Sequence, residues 1–322
     1  MSSRFRKTVM NRCWLCFHLV ILFVAAIKAR ADAPAPPQAP AAKRAVPHAL
    51  PDLESVPADL VIPPLGEGAP AAGKRVRQTL PEYAGTKVYH VLYLPEDWKP
   101  GRRYPVIAEY AGNGNFHNKF GDVSRGWPEG SRLGYGASGG KGAIWICLPY
   151  VGGQGASREN VKIWWGDVAE TVAYCKLAMR FVCREYGGNP QELILAGFSR
   201  GAIGCNFIGL HDAEIAKLWR GFIVHSHYDG IITTWPYAQC DRNSARQRLL
   251  RLEGRPQFIS QEGGVEATRK YLRETGVAGD FTMVAIPYRN HSDAWVLRDI
   301  AQRRQLRQWL AKVLSGSPAG AK

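Results

Sequence analysis

The pentapeptide Gly197-Phe198-Ser199-Arg200-Gly201 stands between the apolar run "ELILA" and the segment "AIGCNFIGL". That context asks for a strand, a turn of one residue and a helix. A serine on such a turn is lifted above the sheet edge, and glycines on both sides remove the side chains that would collide there. The first backbone N–H groups of the following helix then face any anion formed beside the hydroxyl. Few folds accommodate a strand that runs so abruptly into a helix.

The surrounding chain repeats the alternation. Val88 to Leu94, Tyr104 to Tyr110, Ala143 to Leu148, Glu192 to Ala196, Gly221 to His225, Gln257 to Ser260 and Phe281 to Ile286 are short apolar runs bounded mostly by Gly, Pro or charge. Continuous apolar runs of this length suit strands buried on both faces. Between them, Val168, Val172, Cys175, Met179, Val182 and Tyr186 form one helical stripe, opened by Asp167 and closed by Gly187-Gly188. Ala202 to Leu210, Val265 to Glu274 and Asp293 to Leu314 read as further helices, with Asp293 as the cap of the last. The expected class is α/β, a mainly parallel central sheet with helices on both faces, over residues 76–315.

A nucleophilic Ser199 needs a base. His211, His225, His227 and His291 follow it; His291, in "IPYRNHSDAW", stands just beyond the strand Phe281 to Ile286 and before the last helix, where a loop can return to the turn, and is the expected base. The third partner should be a carboxylate leaving a strand end between serine and histidine. Glu262 in "QFISQEGG" and Asp229 in "VHSHYDG" both qualify; Glu262 is favoured because it follows the penultimate strand and precedes glycines. Gly112-Asn113-Gly114, directly after an early strand, offers backbone N–H groups that would complete an oxyanion site with the N–H of Arg200; a plain β-turn is the competing reading of these residues.

With these motifs in place, the sequence resembles the α/β-hydrolases. Within them it is similar to the secreted esterases related to polyhydroxybutyrate depolymerases and to feruloyl and acetylxylan esterases. "YHVLYLPEDWKPGRRYPVIAEYAGNGN", "ELILAGFSRGAIG" and "RNHSDAW" carry the resemblance. It implies Ser199 as nucleophile, His291 as base, Glu262 or Asp229 as acid, Asn113 and Arg200 as oxyanion donors, a small-molecule or polymeric ester as substrate, and no cofactor. Ala111-Gly112 stands where that family usually has His-Gly. Trp165, His227 and Trp295 are expected to line the substrate site, Trp165 as part of an aromatic rim drawn from the loop 123–165.

Other motifs compete. Gly134 to Gly139 matches G-x-G-x-x-G, but no strand precedes it and no helix is expected after it, so a flexible loop is expected in place of a dinucleotide site. His225, His227 and Asp229 have the spacing of a binuclear metal-hydrolase cluster, although Gly230 replaces its further histidine, so no metal is expected. Asn290-His291-Ser292 is a glycosylation sequon that contains the expected base, which argues against occupancy. Cys147, Cys175, Cys183, Cys205 and Cys240 lie in the folded span; the odd number leaves at least one free, and Cys175 and Cys183 are too far apart on one helix to bridge.

The formal charge of +15 is uneven. Six of the 42 Lys and Arg lie within residues 1–31, which hold no acid and flank the apolar stretch Cys13 to Ile27 before Ala29-Arg30-Ala31. This is the pattern of a secretory signal peptide, too short to be a span, and predicts a secreted or periplasmic protein with no stable membrane span after cleavage. Residues 32–75 hold 10 of the 21 prolines and read as a stiff linker, whose more apolar part from Leu53 to Leu65 is expected to lie along the domain surface, and 316–322 read as a flexible tail. Without residues 1–31 the charge falls to +9, spread over Arg-rich helix faces. No nucleic-acid motif accompanies it; a basic exterior of this kind suits an anionic envelope or polysaccharide.

Overall fold

The computed structural model describes residues 49–316. The signal peptide expected at 1–31, the first part of the linker and the tail beyond residue 316 lie outside them. Among the described residues nine strands form one sheet: β1 Leu65–Gly66, β2 Arg75–Gln78, β3 His90–Tyr93, β4 Tyr104–Tyr110, β5 Ile144–Leu148, β6 Gly188–Phe198, β7 Gly221–His225, β8 Gly254–Glu262 and β9 Gly279–Ile286. Their spatial order is β1-β2-β3-β5-β4-β6-β7-β8-β9. The six strands from β5 to β9 run parallel, and β3 pairs antiparallel with both β2 and β5. The helices are α1 Leu133–Ser138, α2 Val168–Glu185, α3 Arg200–Phe207, α4 Ala213–Ala216, α5 Arg242–Leu250, α6 Glu266–Thr275 and α7 Ala301–Ser315.

Strand β6 explains the layering. Leu193 and Leu195 point into a core shared with Val172 and Met179 of α2 and Ala202 and Ile203 of α3. Ile194 and Ala196 point the other way, into a core shared with Leu133 and Ala137 of α1 and Leu306 and Trp309 of α7. Period-two alternation with apolar residues on both faces is what a central parallel strand requires. Helix α2 begins as expected, with the Asp167 carboxylate accepting from the Glu170 N–H at 3.0 Å.

Three expectations change. The folded body starts near residue 49 and not near Val76: Leu53 is buried, β1 and β2 extend the sheet, and Asp52, Glu54 and Asp59 pair with Arg289, Arg298 and Arg303. Proline-rich chain can lie extended along an edge, and the apolar Leu53, Leu60 and Ile62 give this stretch something to bury. Gly134 to Ser138 is helix and not flexible loop. The buried Glu109 carboxylate accepts from the N–H groups of Arg132, Leu133 and Gly134, which caps α1, and from Trp145 Nε1. Burial nevertheless pushes this carboxyl up to about 7. The glycines of α1 serve packing: a Cβ on Gly134 would sit 2.2 Å from the Trp145 ring and one on Gly136 would sit 2.3 Å from Val296. The last helix is divided into a 3-10 turn, Asp293–Leu297, and α7. Ser292 caps the turn in place of Asp293, whose carboxylate meets Arg132 at 2.6 Å.

Candidate active site

The turn between β6 and α3 holds Ser199 at φ 54°, ψ −112°. Few non-glycine residues adopt this conformation, and it persists only where neighbours impose it. Here the Ser199 N–H donates to the His225 carbonyl at 3.0 Å, and the Ser199 carbonyl accepts from Ala202 N–H at 3.0 Å. The flanking glycines are obligatory: a Cβ on Gly197 would lie 2.0 Å from the Gly201 carbonyl oxygen, and one on Gly201 would lie 1.9 Å from that of Tyr110.

His291 arrives on the loop after β9. Its Nε2 lies 3.0 Å from Ser199 Oγ, positioned to accept the hydroxyl proton. The imidazole is fixed from several sides. Its backbone N–H donates to Asp122 at 2.9 Å, Asn290 Nδ2 donates to the same carboxylate, and Leu53 N–H donates to Asn290 Oδ1 at 2.7 Å. Asn290 is thus buried within the fold, in keeping with an unoccupied sequon. Phe116 and Phe198 pack against the ring with centroids at 4.8 and 4.9 Å.

Two groups approach the other ring nitrogen. Glu262 Oε1 is 2.9 Å from Nδ1, but off the line of a good hydrogen bond. Ser226 Oγ, also at 2.9 Å, takes the aligned direction. In the tautomer that leaves Nε2 free to accept from Ser199, Nδ1–H donates to Ser226 Oγ while the carboxylate stands beside it. Burial alone would raise the Glu262 carboxyl; His291, with help from His225, outweighs it and pulls the group down to about 2. The alternative acid, Asp229, is elsewhere. Both of its oxygens accept from Arg248, at 2.8 and 3.1 Å, in a fully buried pair.

A cleft of about 430 Å³ opens above Ser199 and His291. Asn113 and Arg200 line it, and among the described residues their amide nitrogens find no backbone acceptor. Its walls are Phe116, Trp164, Trp235, Ile203 and His227. Burial, and then the neighbouring His291, pulls His227 down to about 4, so this imidazole is neutral in ordinary buffers. The other two expected lining residues are not in the cleft. Trp165 is buried and stacks on Phe207, and Trp295 is buried against His225. Large aromatic rings contribute most when buried, and here Trp165 goes to the core while Trp164 takes the half-buried place at the cleft. Ser226, Asp122 and Trp235 carry no motif of their own and reach the site only through loop packing.

The metal reading of His225, His227 and Asp229 is overturned by where these side chains go. His225 is buried with Nδ1 on Ser260 Oγ and Nε2–H donating to the Ser292 carbonyl, and Asp229 is committed to Arg248. Among the described residues no three potential ligands converge. The five cysteines named above are all unbridged.

No family model matches the chain, and no curated protein matches it by sequence. Solved structures do match by shape. A sugar hydrolase from Lactococcus lactis is 14% identical, with 75% of this chain and 98% of that chain covered and a TM-score of 0.50. A ferulic acid esterase is 15% identical over 74% and 96%, with a TM-score of 0.47. A protein assigned as a dipeptidyl aminopeptidase IV from Bacteroides ovatus is 12% identical over 74% of this chain, with a TM-score of 0.49; this chain spans 35% of its length. The sheet order above and the match to the sugar hydrolase establish the α/β-hydrolase fold for the chain.

Proposed function

We propose that the chain is a serine hydrolase that cleaves carboxylic esters through an acyl-enzyme. The observation that carries this reading is Ser199 Oγ, on its strained turn, 3.0 Å from His291 Nε2. His291 takes the hydroxyl proton as Oγ attacks the ester carbonyl, and the developing oxyanion rests on the N–H groups of Asn113 and Arg200. His291 then returns the proton to the leaving alcohol, and water, activated by the same imidazole, releases the acid. Glu262 stabilises the imidazolium. Ester is preferred over amide on the resemblance of the three motifs to secreted esterases, and the cleft, walled by Phe116, Trp164, Trp235, Ile203 and a neutral His227, suits a small apolar acyl group. The pattern of residues 1–31 supports export to the periplasm or beyond. A fluorophosphonate probe tests the reading: a covalent adduct mapped to Ser199 is expected, and no adduct on the folded protein would end it.

The arrangement around Nδ1 yields a further expectation. Glu262→Gln costs more activity than Glu262→Ala, reversing the usual ranking of conservative and drastic changes. The amide of the first variant donates toward Nδ1 and favours the tautomer with a proton on Nε2, for which a comparable acid-to-amide change costs about 10⁴ in turnover. The alanine variant leaves Ser226 Oγ to accept from Nδ1–H and keeps Nε2 basic. Steady-state rates of p-nitrophenyl acetate hydrolysis decide it, and equal losses in both variants would deny Ser226 this role.

A further inference from the structure

Arg200 follows the candidate nucleophile directly, yet its side chain turns inward and is 1% exposed. Of the other buried arginines, Arg248, Arg298 and Arg303 each meet a carboxylate, at 2.8, 2.6 and 2.7 Å, while Arg75 and Arg255 meet none among the described residues. Arg200 forms no such ion pair among the described residues. Its guanidinium lies 4.0 Å over the Tyr150 ring, and its donors go to two main-chain carbonyls: Nη1 to Trp164 at 2.7 Å and Nη2 to Gly126 at 3.1 Å. Burial pulls the group down only to about 10, so it stays charged at neutral pH.

Both carbonyls belong to segments that touch the loop bearing Asn113. Gly126 is so close to it that a Cβ there would lie 2.8 Å from the Gly114 nitrogen. The same Gly114 N–H donates to the Lys162 carbonyl, and Asn113 Oδ1 accepts from Trp164 N–H at 2.8 Å. Trp164 itself has φ +50°, a conformation that a bulky residue rarely keeps without restraint. Its peptide groups are pinned from both sides, by Asn113 and by Arg200.

We infer that the Arg200 side chain is a positioning residue: it ties the nucleophile helix to the segments at Gly126 and Trp164, and so holds the Asn113 loop where an oxyanion can be received. This rests on the serine-hydrolase reading above. A planar fork that reaches two carbonyls at fixed separation does this, and an ammonium on a flexible stem reaches one at a time. Oxyanion donors held at fixed positions stabilise the tetrahedral anion more than the neutral substrate. The contribution therefore falls on turnover and not on substrate binding.

Arg200→Met and Arg200→Lys test it, with thermal midpoints recorded for each and p-nitrophenyl acetate as substrate. In Arg200→Met, kcat is expected to fall by about 10²–10³-fold, the range for loss of one oxyanion donor, with KM within about threefold of wild type. The rate of fluorophosphonate acylation falls in parallel. In that reaction the Ser199 Oγ–P bond forms, fluoride leaves and His291 takes the proton, so it reports the same site without ester turnover. Arg200→Lys is expected to fold and to lose about tenfold in kcat, between wild type and Arg200→Met. Arg200→Met with wild-type kcat, or with its loss confined to KM, overturns the inference. If Arg200→Met does not fold, a wild-type kcat in Arg200→Lys overturns it equally. Wild-type protein that takes no label on Ser199 instead overturns the hydrolase reading beneath it.

Discussion

His291→Ala should lower kcat for p-nitrophenyl acetate by about 10⁴–10⁶-fold and leave KM nearly unchanged, because nucleophile and base act as one unit. Ser199 Oγ has His291 Nε2 as its hydrogen-bond partner at 3.0 Å, and the neighbouring imidazole that lines the cleft, His227, packs ring to ring with His291 at 5.2 Å. A neutral His227 held down at about 4 is a poor proton acceptor at pH 7 and would not substitute for the missing base. The fold should survive the change. The loop stays anchored by Asp122, Asn290 and Leu53, through a backbone N–H and side chains that the substitution leaves intact. The check is a kcat measurement on protein whose thermal midpoint matches wild type; turnover within tenfold of wild type would remove His291 from the mechanism.

How far the site could be read in advance depended on whether a residue's role was local. Ser199 and its glycines are legible because strand, turn and helix are adjacent in sequence, and the turn needs small neighbours. His291 and Glu262 are legible as strand-end residues in the right chain order, since parallel strands deliver their carboxyl ends to one edge. Choosing between Glu262 and Asp229 needed the third dimension. Both leave strand ends, and only the buried Arg248 of α5, 19 residues further on, removes Asp229 from contention. Trp164 and Trp165 differ by one position and point to opposite environments, cleft and core, because the chain between them has the positive φ of Trp164. Proline content argues for extended chain, and Leu53 to Leu65 does lie along the fold; what composition did not set is the boundary, which moves from near Val76 back to residue 49 because acidic side chains such as Asp59 pair with arginines of the body. The flexible loop expected at Gly134 to Gly139 is largely helix instead, because its capping group, Glu109, comes from a strand 25 residues earlier and is invisible to local pattern.

Gly201→Ala should destabilise the protein by several kcal/mol, more than the about 1–3 kcal/mol typical of an extra methyl in a packed core. The new Cβ would fall 1.9 Å from the Tyr110 carbonyl oxygen and 3.2 Å from that of Ala111. These are main-chain atoms of β4 and the turn after it, so no side chain can swing away. Either α3 must lift off the sheet or β4 must shift, and β4 pairs with both β5 and β6. Lifting α3 also carries Ser199 away from His291, so activity falls with stability. Gly264→Ala provides the control: that glycine has no positive φ and its Cβ would meet nothing within 4 Å. For a domain of this size each kcal/mol corresponds to about 2–4 °C, so a drop on the order of 10 °C or outright failure to fold is expected for the first variant, with the control within about 2 °C. A Gly201→Ala protein with a wild-type midpoint would mean that α3 does not rest on β4 as closely as this packing requires.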